Sequence, residues 1–215
     1  ARTRMAYEHI LEDFAKQRVH ILIGTQMISK GLDFANVTVV GILNADGMMN
    51  IPDFRAHERA FQLMVQVSGR AGRRGKRGTV ILQTSQPEHP LIQMVKGYDY
   101  KAMVNLQLSE RRLFRYPPYY RLIGLILRSH NETVLDLMAN LYAERLRKHL
   151  GERVLGPVTP PVSFVQMLHI RKIVIKIEIT AAVAPVRDML TEVYAEMQND
   201  ARFKQLIVHY DVDPV

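Results

Sequence analysis

The fold of the first half of the chain is decided by an apolar run, Val37-Thr38-Val39-Val40-Gly41-Ile42-Leu43. The run is apolar on both faces and lacks the alternation of a half-exposed strand, which is typical of a parallel strand covered by helices on both sides. Two more strand-like runs lie outward from it, at 19–23 and 79–84, and segments with helical spacing separate them. The sequence therefore predicts an α/β first half, with a parallel sheet and flanking helices.

Helices are predicted around these strands. Apolar residues at 7, 10, 11 and 14 have the spacing of one helical face. A loop from 44 to 52 leads into a helix near Asp53, whose carboxylate can accept hydrogen bonds from the free N–H groups at a helix start. A longer helix is predicted from about Tyr98 to Arg115.

Two prolines, Pro117 and Pro118, must end that helix, because proline cannot continue it. We therefore place a domain boundary there, between residues 1–116 and residues 117–215. The second half has the predicted order β-α-β-β-α-β, a split β-α-β fold of the α+β class. In its alternating strand, Ile173 to Ile179, the isoleucines face the core and Lys176 is among the residues expected to face water.

The composition is that of an ordinary globular protein, with 47% hydrophobic and 23% charged residues among 215. No apolar run approaches the roughly 18 residues that a membrane span needs, so we expect a cytoplasmic protein. The absence of cysteine excludes disulfides and thiolate zinc sites. The eight histidines are not spaced as metal ligands, and no metal site is predicted.

Positive charge is concentrated in one stretch. The net charge is +8, and residues 66–115 hold 10 basic and 3 acidic side chains, while the rest of the chain is nearly balanced. A concentrated positive field favours phosphate, from a nucleotide or a nucleic acid, as the partner. A solvated basic surface is the alternative.

The basic stretch begins with a segment that suits a phosphate clamp, Gln66-Val67-Ser68-Gly69-Arg70-Ala71-Gly72-Arg73. Arg70 and Arg73 are three residues apart and would lie on one helical face, and the glycines allow a partner to approach the backbone closely. Arginine keeps its charge and offers phosphate oxygens a planar fork. An ordinary basic turn is the alternative interpretation.

A second polar segment, Gly24-Thr25-Gln26-Met27-Ile28-Ser29-Lys30-Gly31-Leu32-Asp33-Phe34, follows the first predicted strand. Ligands of open α/β sheets gather at the carboxyl ends of strands, where this loop is expected to lie. Together, the two segments resemble motif V and motif VI of superfamily-two nucleic-acid helicases. They have the order and separation found in the second RecA-like lobe of those enzymes.

A closer resemblance is to the primosomal protein N′ family of bacterial replication-restart helicases. The residues that carry it run along nearly the whole chain: Gly24-Thr25-Gln26-Met27, Lys30-Gly31, Asp46-Gly47, Asp53-Phe54-Arg55-Ala56, Glu58-Arg59, Gln83-Thr84, Pro87-Glu88-His89-Pro90, Arg111-Arg112, Pro117-Pro118, Leu155-Gly156-Pro157 and Asp211-Val212-Asp213-Pro214. The resemblance implies a second RecA-like helicase lobe at 1–116. It implies that 117–215 is the family's C-terminal domain, which is similar to a small-subunit ribosomal protein.

The resemblance also implies roles for individual residues. Arg73 would be the arginine finger of an ATP site between two lobes, with Arg70 beside it and Gln66 as a polar partner; an ion pair within the lobe is the alternative for Arg70. The residues implied for nucleotide binding are Gly31, Asp33 and Gly69. Those implied for DNA contact are Gly24, Thr25, Gln26 and Lys30. Local capping is the alternative for Thr25 and Asp33, and plain solvation is the alternative for Lys30.

Members of that family also carry an N-terminal DNA-binding region, a first lobe with a phosphate loop and Mg²⁺ ligands, and a zinc-binding insertion. This sequence contains none of them, so we expect it to be part of a longer parent. ATP and Mg²⁺ would be bound mainly by the missing first lobe, and zinc is expected in the parent but not in this chain. Because phosphoryl transfer needs that lobe, the chain alone is predicted not to hydrolyse ATP.

The partners that the resemblance implies are forked or single-stranded DNA, the single-strand-binding protein and other primosome proteins, at the nucleoid of a bacterial cell. A non-catalytic module that binds nucleic acid or protein is the alternative function. Arg187, on the last predicted helix, could contact a partner protein or only face solvent. Three tyrosines flanked by two arginines could stack bases or pack within the protein: Tyr116, Tyr119, Tyr120, Arg115 and Arg121.

Overall fold

The computed structural model describes residues 4–25, 36–72 and 78–214. The chain divides into two units, Ala1–Leu108 (unit 1) and Ser109–Val215 (unit 2). The division lies inside the helix Tyr100–Leu113, ahead of the proline pair at which the boundary was predicted. No helix in the described ranges is long and apolar enough to cross a membrane.

Unit 1 is built on two parallel strands. β1 (Val39–Ile42) and β2 (Thr79–Leu82) pair in register along their whole length. The helices described in this part of the chain are α1 (Arg4–Ala15), α2 (Ala45–Met49), α3 (Ala56–Ser68), α4 (Pro90–Gly97) and the start of α5 (Tyr100–Leu113). The predicted combination of a parallel sheet with helices is confirmed.

The core of unit 1 is formed by apolar side chains from β1 and from helices α2 to α5. α3 contributes Ala60, Phe61 and Met64, which have the spacing of one helical face and are at most 3% exposed. Ile42 from β1 and Leu91 from α4 pack in the same cluster. This packing fixes α3, which carries the basic motif at its end, against the sheet.

The prediction of a strand over 19–23 is wrong. These residues form neither helix nor strand, and Ile21 and Ile23 are 74% and 84% exposed. A strand that is apolar on both faces forms where neighbouring strands and covering helices bury it. Within the described ranges, β1 and β2 pair only with each other, so this run joins no sheet.

The segment between β1 and α3 also differs from the prediction. The predicted loop contains α2, which begins after Asn44, a residue with a left-handed φ of 53° whose side chain accepts a backbone N–H in the first turn. The carboxylate of Asp53 accepts the N–H of Arg55 at 2.8 Å and pairs with Arg59 at 2.7 Å. Asp53 therefore shapes the turn before α3, and α3 begins later than predicted.

The long helix predicted from about Tyr98 is α5, and an additional helix, α4, precedes it. α4 begins with Pro90, whose fixed φ suits the first turn of a helix. The ring Nδ1 of His89 accepts the N–H of Leu91 at 3.2 Å, which caps the start of α4. Tyr98, with a left-handed φ of 53°, ends α4 and separates the two helices.

Unit 2 is an antiparallel sheet with two helices. Its strands are β3 (Tyr120–Ser129), β4 (Val154–Val158), β5 (Phe164–Val165), β6 (Leu168–Glu178) and β7 (Ile207–Val212), and its helices are α6 (Glu132–Leu150) and α7 (Val183–Met197). The sheet order is β4-β6-β3-β7, and the short β5 pairs with β6. Each helix joins two strands that have a third strand between them. The predicted split β-α-β order is confirmed, with β5 as an addition. The similarity to a small-subunit ribosomal protein stays a prediction.

The core of unit 2 lies between the sheet and the two helices. Leu125 and Leu127 of β3 and Ile173 and Ile175 of β6 are 0% exposed, and they pack against buried side chains of α6 and α7. Alternate residues of β6 thus face the core, as the pattern predicted. Ile179 does not join them, because it lies beyond the end of β6 and is 47% exposed.

Lys176 is buried, although the alternation predicted that it would face water. Its Nζ donates to the carbonyl of Phe114 at 2.6 Å and lies 3.6 Å from the centre of the Tyr116 ring. Burial lowers the pKa of Lys176, and the nearby charge of Arg115 lowers it further. The prediction fails because residues 114–116 cover this part of the outer face of the sheet.

A second buried cation ties α6 to β6. Arg171 is 8% exposed, and its Nε donates to Asp136 at 2.6 Å while its Nη2 donates to Glu132 at 2.8 Å. Its Nη1 donates to the carbonyl of Ile170 at 3.0 Å. The hydrogen bonds to Glu132 and Asp136 raise the pKa of Arg171. The guanidinium therefore joins the start of α6 to the middle of the sheet.

We expect Arg171→Met to lower the free energy of unfolding of unit 2 by about 1–3 kcal/mol, because the variant loses hydrogen bonds to two carboxylates while keeping an unbranched apolar stem. Urea denaturation followed by circular dichroism measures the change. The control is Arg145→Met, which breaks the exposed ion pair between Arg145 and Glu196 and should cost less than about 1 kcal/mol. Equal losses in the two variants would contradict a bracing role for Arg171.

Candidate functional site

The end of α3 carries the described part of the phosphate-clamp segment. The N–H of Gly69 donates to the carbonyl of Val65 at 3.0 Å, and the N–H of Arg70 donates to the carbonyl of Val67 at 3.0 Å. The helical turn therefore continues past the last residue of α3. Gln66 and Arg70, four residues apart, lie on the same side of this turn. That Arg70 and Arg73 share a helical face stays a prediction, because Arg73 lies outside the described residues.

The segment then turns back to the sheet at Gly72. Gly72 has a left-handed φ of 72°, and its N–H donates to the carbonyl of Val37 at 3.0 Å, just before β1. Gly78 lies against the same turn, because a Cβ at Gly78 would come within 2.4 Å of the backbone of Ala71. Two glycines thus let the backbone close on itself beside the start of the sheet.

The structure describes five of the ten predicted site residues. It brings together Gln66, Gly69 and Arg70 at the end of α3. Gly24 and Thr25 are exposed and do not follow a strand, so the predicted position at the carboxyl end of a strand is wrong for them. The other five lie outside the described residues: Arg73, Gly31, Asp33, Gln26 and Lys30.

A carboxylate that the sequence analysis did not identify occupies the carboxyl ends of β1 and β2. Asp46, in α2, accepts hydrogen bonds from the Thr84 hydroxyl at 2.5 Å and from the Ser85 hydroxyl and N–H at 2.7 and 2.8 Å. The hydrogen bonds from Ser85 and Thr84 lower the pKa of Asp46. Asp46 therefore holds the two strand ends together. The resemblance included Asp46 and Thr84, but their spacing in the sequence did not indicate that they pair.

Two of the three tyrosines pack within unit 2. The ring of Tyr116 is covered by Lys176, and the ring of Tyr119 is covered by the guanidinium of Arg112, 4.7 Å from the ring centre. The packing interpretation therefore applies to both.

Unit 2 also contains a groove of about 570 Å³ beside α7. Apolar side chains of β3, β6 and α7 line most of it, among them Ile123, Ile177 and Leu190. Arg121 and Arg187 also line it, and the exposed guanidinium of Arg187 pairs with Asp188 at 3.2 Å. The groove thus combines an apolar floor with two arginines and the carboxylate of Asp213. Sequence patterns did not reveal it, because its residues come from separate elements.

The two motif glycines differ in what they tolerate. Gly69 has a right-handed φ of −66°, and a Cβ there would meet its nearest atoms at 3.6 Å, whereas Gly72 has φ 72°. We expect Gly72→Ala to destabilise unit 1 by about 1–2 kcal/mol, because alanine is strained in the left-handed region. Gly69→Ala should be neutral or stabilise by up to about 1 kcal/mol. Urea denaturation measures the free energy of unfolding of both variants. Equal destabilisation by the two substitutions would refute this difference between Gly69 and Gly72.

Two family models match the chain. The helicase conserved C-terminal domain matches residues 2–75, and the primosomal protein N C-terminal domain matches residues 112–215. These matches cover the end of α3 and nearly all of unit 2.

Proteins named replication restart protein PriA are similar to most of the chain. The one from Bacillus subtilis (strain 168) is 39% identical over 212 residues, which are 97% of this chain and 26% of that protein. The one from Treponema pallidum (strain Nichols) is 35% identical over 97% of this chain and 31% of its own length. The chain thus spans between a quarter and a third of these relatives. The chain belongs to the PriA family of replication restart proteins, and it matches the helicase C-terminal and primosomal protein N C-terminal domains.

Proposed function

We propose that this chain supplies the second lobe of an ATP-dependent DNA helicase that acts in replication restart, followed by a C-terminal domain that meets DNA or partner proteins. The observation that carries the proposal is the geometry at the end of α3. One continued helical turn groups Gln66, Gly69 and Arg70, which precede Arg73 in the sequence, and the Gly72 N–H ties the turn to the sheet. The names of the relatives support a role in replication restart.

In the proposed mechanism, Arg73 and Arg70 face the phosphates of a nucleotide held by another lobe. A guanidinium aimed at the transferred phosphoryl group stabilises the charge that develops in the transition state. Gln66 orients these groups, and Gly69 leaves room for the nucleotide or the opposite lobe to approach the backbone. Gly31 and Asp33 complete the nucleotide contacts of this lobe. The core packing of α3 fixes the helix that precedes both arginines.

The residues of this chain are better suited to contact phosphates than to bind metal ions. The described part offers no group of three His, Asp or Glu side chains that could hold an ion, and the sequence has no cysteine for zinc. In this proposal, Mg²⁺, which neutralises phosphate charge when bound, is assigned to residues of the first lobe. Zinc belongs elsewhere in the longer protein.

DNA contact in unit 1 is proposed for the segment from Gly24 to Lys30. A backbone N–H at Gly24 and the Thr25 hydroxyl can donate to a DNA phosphate, and Gln26 and Lys30 can add an amide and a charge. Such contacts position the strand without reading its sequence. The exposure of Gly24 and Thr25 is compatible with this role.

The alternative is a non-catalytic module that binds nucleic acid or protein. The groove beside α7 favours it, because apolar lining with nearby arginines suits a protein partner. ATP hydrolysis distinguishes the two proposals. A longer protein that carries this chain only as a binding module would not use it to hydrolyse ATP.

We expect Arg73→Ala, in a full-length protein that carries this chain, to lower DNA-stimulated ATP turnover by about 10³–10⁵ with little change in nucleotide affinity, because an arginine finger acts mainly in the transition state. Steady-state kinetics with single-stranded DNA measures turnover, and equilibrium binding of a nucleotide analogue measures affinity.

The matched control is Arg77→Ala, which removes the same charge from the same basic segment. Near-normal turnover in Arg73→Ala, or an equal loss in Arg77→Ala, would contradict the assignment. The isolated chain should show no DNA-stimulated ATP hydrolysis. Turnover by a contaminant-free preparation of the chain would contradict the two-lobe proposal.

The proposed partner for the groove is the single-strand-binding protein, with other primosome proteins as further candidates. We expect Arg187→Glu to weaken its binding to this chain about three- to tenfold, because a charge at the rim of a groove steers an acidic partner. Isothermal titration calorimetry measures the affinity. The control, Arg145→Glu, reverses a charge on α6 that is also exposed, at 46% against 73% for Arg187. Unchanged affinity in Arg187→Glu would exclude this groove as the binding surface.

A further inference from the structure

The two edges of the unit 2 sheet differ in how they are protected. β4, at one edge, contains Pro157, and its register against β6 shifts between Leu155 and Val158. Proline and irregular register are common means by which an edge strand is kept from pairing with another chain. β7, at the other edge, has no proline or glycine and keeps an unbroken register with β3 from Ile207 to Val212. One edge of the sheet is therefore open to a further strand.

The hydrogen bonds at the end of β7 show which of its backbone groups are available. The N–H of Asp213, just after β7, donates to the carbonyl of Leu122 at 2.7 Å, so these two residues form a hydrogen-bonded pair of the ladder. In an antiparallel ladder, every second residue turns its N–H and C=O toward the neighbouring strand. The backbone groups that face away from β3 therefore belong to the alternate residues Val208, Tyr210 and Val212.

The side chains of the same residues form the apolar face of β7. Tyr210 lies opposite Leu125 and Val212 lies opposite Ile123, on the face of the sheet that carries the core. Tyr210 and Val212 are nonetheless 41% and 63% exposed, because the sheet ends at β7. A strand added at this edge would cover apolar surface as well as pair the backbone.

A basic and an acidic side chain lie on the other face of β7. His209 lies opposite Ile126, and Asp211 lies opposite Gly124, and both side chains of β7 are exposed. When a strand pairs antiparallel with its own copy around a central residue, the residue before the centre faces the residue after it. With Tyr210 at the centre, His209 of each copy would face Asp211 of the other, which is a favourable cross-strand pair.

We propose that β7 is a dimerisation edge, where two copies of this chain pair antiparallel about a two-fold axis at Tyr210 and form one continuous sheet. The same axis sets Val208 of each copy opposite Val212 of the other, so all the outward-facing backbone groups of β7 are paired. This match, together with the complementary charges, favours a second copy over an unrelated peptide as the occupant of the edge. The inference concerns unit 2 and does not depend on the helicase role proposed above.

The test is sedimentation equilibrium of this chain alone, so its outcome does not depend on the partner proposed for the groove. Strand pairing buries a small interface, and we expect a reversible dimer with a dissociation constant of roughly 10–100 μM. Val212→Pro removes an N–H that faces away from β3, and it should weaken dimerisation at least about tenfold. The control, Val212→Ala, keeps that N–H and should weaken dimerisation less than about threefold. A chain that stays monomeric throughout this range, or equal weakening by the two variants, would overturn the proposal.

Two charge variants test the pairing without changing the backbone. His209→Glu places an acid opposite Asp211 of the other copy, and the double variant His209→Lys with Asp211→Lys places lysine opposite lysine. Each variant alone should dimerise about three- to tenfold more weakly than the unmodified chain, because like charges directly opposite each other destabilise a strand pair. An equimolar mixture of the two should recover dimerisation, since every facing pair then has opposite charges. Failure of the mixture to form heterodimers would refute the two-fold pairing at Tyr210.

Discussion

Parallel strands cannot be joined by a tight turn, and this constraint governs both units. In unit 1, β1 and β2 pair in parallel, so the chain between Ile42 and Thr79 must cross from one end of the sheet to the other. That crossover contains α2, α3 and the basic motif. The Gly72 N–H returns to the carbonyl of Val37 at the start of β1 because the crossover has to end there. The position of the motif is therefore a consequence of strand pairing.

The same constraint arranges unit 2. β3 and β4 run in the same direction with β6 between them, and β6 and β7 have β3 between them, so two helical crossovers are required. Both helices cover one face of the sheet, where the buried core lies. The segment before β3 packs on the other face, where Phe114 accepts a hydrogen bond from Lys176. The groove beside α7 and the segment before β3 accordingly lie on different faces of the sheet.

The sequence predicted most regular elements because their patterns are local. Parallel β1 and β2, the helical spacing of α3 and the alternation in β6 each show in a few neighbouring residues. The strand prediction for residues 19–23 was wrong because a fully apolar strand depends on neighbouring strands and helices, which a local sequence pattern does not reveal. The prediction that Lys176 faces water was wrong for a related reason, because the residues that bury it come from a distant segment of the sequence. Within the candidate site, the grouping of Gln66, Gly69 and Arg70 followed from their places in one short motif. The contacts of Asp46 did not follow from any local pattern, because Asp46 and Thr84 are 38 positions apart.

Residues with a left-handed φ show how much can be inferred about function from local backbone strain. At Gly72 the residue type suits the conformation, so the turn needs no explanation beyond closure of the crossover. Tyr98 and Arg115 both end helices with φ near 55° and carry side chains, so the conformation alone does not identify a site. Arg115 differs because its charge lies beside a buried lysine, in a position where the two cations repel each other. That repulsion would be relieved by replacing the arginine with glycine, which the backbone also prefers. A hydrogen bond from Arg153 lowers the pKa of Glu178, and the charge of Arg115 lowers it further, so Arg115 has an attractive partner within unit 2 as well as a repulsive one. Its left-handed φ therefore closes the end of the helix and does not by itself identify a binding site.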